Sequence, residues 1–182
     1  MMLNRLLRAA ESVDRFDEPS EKLAHRLRRI LKNRPADRVL RGSWIGHPAH
    51  PLIVTVPIGA WVCSAAFDAL RQREAARRLI AIGALTAPLA VITGLAEFSR
   101  LSTVQRRVGA LHLSTNVVAQ ACYLISHRCR TREAKSAGTA GTAGTLWGLA
   151  GLAAVAAGGA LGGHLSYALG AGVHEWQEGP EA

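Results

Sequence analysis

The residues with the most chemistry to offer are histidines set at the mouths of apolar runs. His47 and His50 stand in Gly46-His47-Pro48-Ala49-His50-Pro51, directly before a long apolar stretch, and His112 and His164 each lie about one helical turn inside another. Neutral imidazoles from opposing helices can ligate heme iron, and a helical bundle is a common frame for them. With Glu97 the same histidines form a mixed nitrogen and oxygen set suited to non-heme zinc, iron or copper. Without a metal, His and Tyr167 can hydrogen-bond a quinone or relay protons. The plainest alternative is that they cap helices and bond backbone carbonyls, which would leave a non-redox scaffold or a transport component.

Four apolar runs must position these groups: residues 52–70, 79–98, 108–126 and 145–170. Each approaches or exceeds the roughly 17–25 residues that cross a hydrocarbon core. The fold class expected is therefore all-α: an integral membrane four-helix bundle behind a basic amphipathic arm. The domains are residues 1–43 (arm), 44–174 (four-span domain) and 175–182 (a short acidic tail). In such a protein the start of span one, the end of two, the start of three and the end of four share one side. His47, His50, Glu97, His112, His164 and, just outside, His174 all fall there. Ionisable groups are costly at that depth and usually face a bundle interior, which favours a shared site.

Along span three, His112, Asn116, Ala119 and Tyr123 make one stripe at helical spacing. Gly158, Gly159, Gly162 and Gly163 give span four two overlapping Gly-x-x-x-Gly pairs, which allow close backbone packing or leave room for a flat cofactor beside His164. Pro51 suits a first helical position with His50 at the cap. Pro57 predicts a kink about one turn into the first span. Asp68 is expected to close that span beside Arg71 and Arg73.

The formal net charge of +9 would point to nucleic acid in a soluble protein, but half of the 22 Lys and Arg lie before the first span. Helices over residues 3–16 and 20–33 would carry those charges against anionic lipid head groups, each worth about 1 kcal/mol near the surface. No nucleic-acid partner is expected, and the arm is expected to lie outside the bundle and to be dispensable for insertion. The cysteines, Cys63, Cys122 and Cys129, have neither metal spacing nor even parity and read as small buried apolar residues. The charged start gives no secretory signal, so the first span would do the targeting. With no nucleophile–base pair, phosphate loop or dinucleotide fingerprint, an independent enzyme is not expected.

The His-Pro-x-His-Pro element with Leu52-Ile53-Val54, then Pro57-Ile58-Gly59, Asp68, His112 and Asn116, resembles the bacterial predicted-membrane-protein family called domain of unknown function 2231. The tail Gly162-Gly163-His164-Leu165-Ser166-Tyr167 with Gly170, Gly172 and Val173 is similar to its longer members. The resemblance covers about residues 42–174. It implies a multi-pass protein of the bacterial inner membrane. Some relatives are associated with Rieske-type iron–sulfur domains, so it also implies redox company; this chain has no Rieske motif of its own.

Residues and resemblance together predict an electron-transfer module with a b-type heme near one leaflet. His112 and His164 are the expected axial pair, with His50, or after it His47, as substitute or propionate partner and Asn116 and Tyr167 beside them. Ligation from span one to span three is the chief alternative. The basic arm favours cytoplasmic termini. A reporter fused at Ala182 is expected to be active only in its cytoplasmic form; periplasmic activity alone would reverse the orientation.

Overall fold

The computed structural model describes residues 2–135 and 142–173, which form helices joined by short turns, with no strand among them. His174, the acidic tail and most of the Ala-Gly-Thr repeat lie outside the described residues. The chain forms α1 (Met2–Glu11), α2 (Asp17–Leu31), α3 (Pro35–Leu40), α4 (Ala49–Ile53), α5 (Thr55–Ala69), α6 (Arg73–Phe98), α7 (Thr103–Lys135) and α8 (Ala143–Gly163). A wider helical turn, His164–Ala168, continues α8. Four segments are long and apolar enough to cross a membrane: Ala49–Ala69, Arg73–Phe98, Thr103–Lys135 and Ala143–Ala168.

The helices start earlier or run longer than the apolar pattern predicts, each time for a local reason. The first span begins at Ala49, not at Pro51. The opening N–H groups of a helix have no intrahelical partner, so Pro51 costs nothing one turn in, and His50 becomes a helical residue and not a cap. Pro57 cannot donate to the carbonyl four residues back, and the helix is interrupted at Val54, one turn into the span, where the kink is expected. Extension of α6 back to Arg73 is supported by Glu74, which pairs with both Arg77 and Arg78 at 2.8 and 2.7 Å. Likewise α7 continues to Lys135, beyond the apolar run that ends at residue 126, since residues 126–135 contain no Gly or Pro. In the arm, Asp17, Glu18 and Pro19 open α2, where acidic side chains face a helix N-terminus.

Two compact units divide the chain. One, residues 53–89 and 115–157, is built on Trp61, Ile80, Ala87, Ala119, Tyr123 and Val155. Trp61 and Tyr123 stack with ring centres 4.4 Å apart and planes within 8°, an arrangement worth about 0.5–1.5 kcal/mol beyond the area it buries. Asp68 does not pair with Arg71 or Arg73. Its two carboxylate oxygens each accept an N–H of Arg130 at 2.7 Å. Arg130 also donates to Ser126 Oγ at 3.0 Å, and that hydroxyl donates to the Gly144 carbonyl at 2.5 Å. Of the cysteines only Cys122 is buried; Cys129 is half-buried and Cys63 is exposed on an apolar helix, against the expectation that all three fill the interior.

The other unit takes, of the described residues, 2–52, 90–114 and 158–173. It joins the arm to the ends of the spans through specific polar contacts. Arg107 holds Asp17 at 2.8 and 2.6 Å and donates to the Glu11 carbonyl at 3.0 Å. Arg28 donates to the Ser99 carbonyl at 2.9 Å. Arg41, only 4% exposed, bridges Asp37 at 2.8 Å and Ser99 Oγ at 2.9 Å, with Glu97 at 3.9 Å. Gly42 makes this turn possible: at φ +76° a side chain would be strained, and a Cβ would fall 2.0 Å from the His47 carbonyl. The arm is therefore bonded to the ends of the spans. Its α1 still turns Met2, Leu3 and Leu6 outward.

The Asp17–Arg107 pair makes the docking of the arm pH-sensitive. Hydrogen bonding from Arg107 lowers the Asp17 pKa below the ordinary carboxylate value. A depressed folded-state pKa contributes stability above the unfolded value, near 3.9, and loses it as pH falls further. Protease protection of residues 12–33 is expected to drop below about pH 4, and Asp17→Asn to bring the same loss at neutral pH. Equal protection of Asp17→Asn and the parent at neutral pH would remove Asp17 from the attachment.

Candidate functional site

The unit that holds the arm also gathers His47, His50, Glu97, His112 and His164, as span parity requires. It does not treat them alike. His50 and His112 come together, with ring centres 6.3 Å apart and planes at 85°. Each reaches a helix of its own hairpin. His50 Nδ1 lies 2.8 Å from the Ala90 carbonyl of α6, and His112 Nδ1 lies 2.8 Å from the Gly158 carbonyl of α8. A carbonyl oxygen only accepts, so Nδ1 carries the proton in both rings, and in the neutral tautomer Nε2, on the far side of the ring, carries the lone pair.

A glycine one turn beyond each carbonyl makes this approach possible. A Cβ on Gly94 would lie 3.0 Å from His50 Cε1 and Nδ1, and one on Gly162 would lie 2.9 Å from His112 Cε1. The imidazoles thus rest on bare helix backbone. Gly162 takes up the His112 ring itself, while Gly159 faces open space and Gly163 meets only Tyr167 at 4.0 Å. The cofactor gap expected from Gly159, Gly162 and Gly163 is, at Gly162, the seat of a histidine.

His164 is placed elsewhere. Its Nε2 is 2.8 Å from Glu11 Oε1 of α1, so it anchors the arm to the end of α8 and is not joined to His112. His47 is exposed. Tyr167 is 91% exposed, which does not suit a buried hydrogen bond to a cofactor. Glu97 faces Arg41. Asn116 follows His112 by one turn on α7 and belongs to the other unit, where Ala119 and Tyr123 of the same stripe are buried. Among the described residues no group of three or more His, Cys, Asp or Glu is arranged to hold a metal ion. Sequence reasoning missed Ala90 and Gly94, the seat of His50, because nothing in span two itself marks which carbonyl or glycine a side chain from another helix will meet.

Among the described residues, helices without strands, four of them long and apolar enough to cross a membrane, define a polytopic all-α membrane protein, with paired imidazoles drawn from the first and third spans. The chain belongs to the predicted membrane protein family DUF2231, whose family model matches residues 46–175. That match takes in all four spans and leaves out the arm. No curated protein and no solved structure matches the chain.

Proposed function

We propose that the protein is a b-type heme module for electron transfer in the bacterial inner membrane, with His50 and His112 as the axial pair. The separation of the two rings carries the reading. A metal–imidazole bond is about 2.0–2.1 Å and a ring nitrogen lies about 1.1 Å from its ring centre, so two imidazoles on opposite sides of one ion have centres about 6.2–6.4 Å apart. The observed 6.3 Å fits. Donation of the second ring N–H to a backbone carbonyl is the usual way a ligating histidine is oriented. Two protein ligands also suit a porphyrin, which supplies the other four donors itself.

When bound, the iron porphyrin would supply one-electron redox chemistry. The chain's own part is to fix both tautomers through Ala90 and Gly158, to seat both rings on glycine, and to hold the pair between apolar helices that exclude water. A Rieske-type or other redox protein is the partner this role calls for, and the basic arm and outward apolar side chains of α1 suit an anionic leaflet on the side of the site. Absorbance of protein purified from heme-replete cells, before and after dithionite, tests the reading. A Soret band with sharpened reduced bands is expected. A linear two-coordinate copper(I) site uses the same two nitrogens, so stoichiometric copper without a Soret band would replace heme; neither metal would sink the redox reading.

A further inference from the structure

The contacts around the two histidines recur at fixed intervals along the chain. In the first hairpin, α4 and α5 with α6, His50 is 11 residues before Trp61 and Gly83 is 11 before Gly94. In the second, α7 with α8, the same 11 separate His112 from Tyr123 and Gly151 from Gly162. The glycines do the same work in both. A Cβ on Gly83 would lie 2.3 Å from Trp61 Nε1, and one on Gly151 would lie 2.9 Å from the Tyr123 ring. Each hairpin thus seats one histidine and one aromatic of its first helix on two glycines of its second.

The correspondence extends beyond the rings. First-helix positions 62 apart match: His50 with His112, Pro57 with Ala119, Trp61 with Tyr123, Ser64 with Ser126 and Asp68 with Arg130. Second-helix positions match at 68: Gly83 with Gly151, Ala87 with Val155, Ala90 with Gly158 and Gly94 with Gly162. Pro57 and Ala119 are both buried, as are Ser64 and Ser126, and Ala87 and Val155 share one core cluster. Moreover, three matched pairs are in mutual contact or close approach. His50 lies beside His112, Trp61 stacks on Tyr123, and Asp68 binds Arg130. A residue meets its own counterpart when two copies are related by a twofold axis that passes close to it.

We infer that the membrane domain is a tandem repeat of one helical hairpin, each copy presenting half of the histidine site: an imidazole, the carbonyl that fixes its tautomer and the glycine it rests on. Two hairpins that both start from the same side of the membrane are parallel repeats, the kind related by an axis along the membrane normal. The half-site clause rests on the functional reading above; the repeat does not. Symmetry is broken at the charged pair. Gly144 and Gly148 lie against the Arg130 side chain, whereas their counterparts are Ala76 and Ile80, both fully buried. Arg130 occupies the space that these two glycines leave in the second hairpin.

Glycine-to-alanine variants of the full-length protein, melted in detergent, test the repeat. Alanine is the better helix former, so Gly59→Ala and Gly159→Ala, where a Cβ meets nothing within 4 Å, should hold or raise Tm. Gly83→Ala, Gly151→Ala, Gly94→Ala and Gly162→Ala should each lower it by about 3 °C or more, with similar losses within each matched pair. A pair in which one member loses stability and the other gains it would overturn the repeat. Should all four fail to fold, the exchange Trp61→Tyr with Tyr123→Trp decides: melting near the parent supports equivalence, and collapse refutes it. Gly94→Ala and Gly162→Ala should also shift the heme spectrum alike. A parent without an absorption band would end the functional reading and leave the melting comparison standing, so the two ideas fail separately.

Discussion

Alanine at either His50 or His112 is expected to abolish the low-spin heme spectrum, and alanine at both to abolish heme retention. Low-spin iron in a b-type site needs a strong ligand on each face. In the proposed site, alanine at one position would leave a single imidazole to hold the iron, with a shifted Soret band and weaker binding, and alanine at both would leave none. The two single variants should resemble one another, because each histidine has the same carbonyl bond and the same glycine floor. His164→Ala should keep the spectrum and loosen the arm, since its imidazole is bonded to Glu11. Were His164→Ala to lose the low-spin bands while His50→Ala retained them, the pairing of span one with span three would be wrong. Insertion of every variant in the membrane fraction separates loss of the site from loss of the protein.

Arg130→Ala is expected to be the most destabilising single change in the spans. Arg130 and Asp68 are 6% and 15% exposed at their side chains and bond in the two-pronged geometry that favours arginine with carboxylate. Removing one partner of such a pair costs about 3–5 kcal/mol, because it strands the other charge in an apolar surrounding. Asp68→Ala should cost a similar amount. Replacing both with apolar residues of like volume should recover much of the loss, as removing a buried pair outright is often neutral. Reversal, Asp68→Arg with Arg130→Asp, should not rescue if the proposed repeat holds, because Arg130 lies against Gly144 and Gly148 while the positions matched to them for residue 68 are Ala76 and Ile80. Unfolding of the single, double and reversed variants in mixed detergent measures all of these. A single variant that lost less than about 1 kcal/mol would mean that the pair is effectively hydrated.

The chain by itself determined the architecture, because blocked hydrophobicity of membrane length leaves helices as the economical solution. With four spans, parity alone brings His47, His50, Glu97, His112 and His164 to one end, and they share one unit. The stripe through Ala119 and Tyr123 and the interruption before Pro57 were legible for the same reason: helical period and the missing proline N–H are local properties.

Partner choice was not local. Depth along a helix, the only coordinate the sequence supplies, makes His112 and His164 equals and sets His50 at the boundary. Azimuth decided otherwise, turning His50 toward His112 and His164 toward an arm whose Glu11 lies 153 residues away. Asp68 likewise passed over Arg71 and Arg73 for Arg130, because an arginine on the third span can meet it with both prongs and bring Ser126 with it. Gly94 and Gly162 acquired meaning only when the imidazoles were seen resting on them. A bare stretch of helix backbone has a function only through the side chain that another helix brings to it, and packing alone determines which side chain that is.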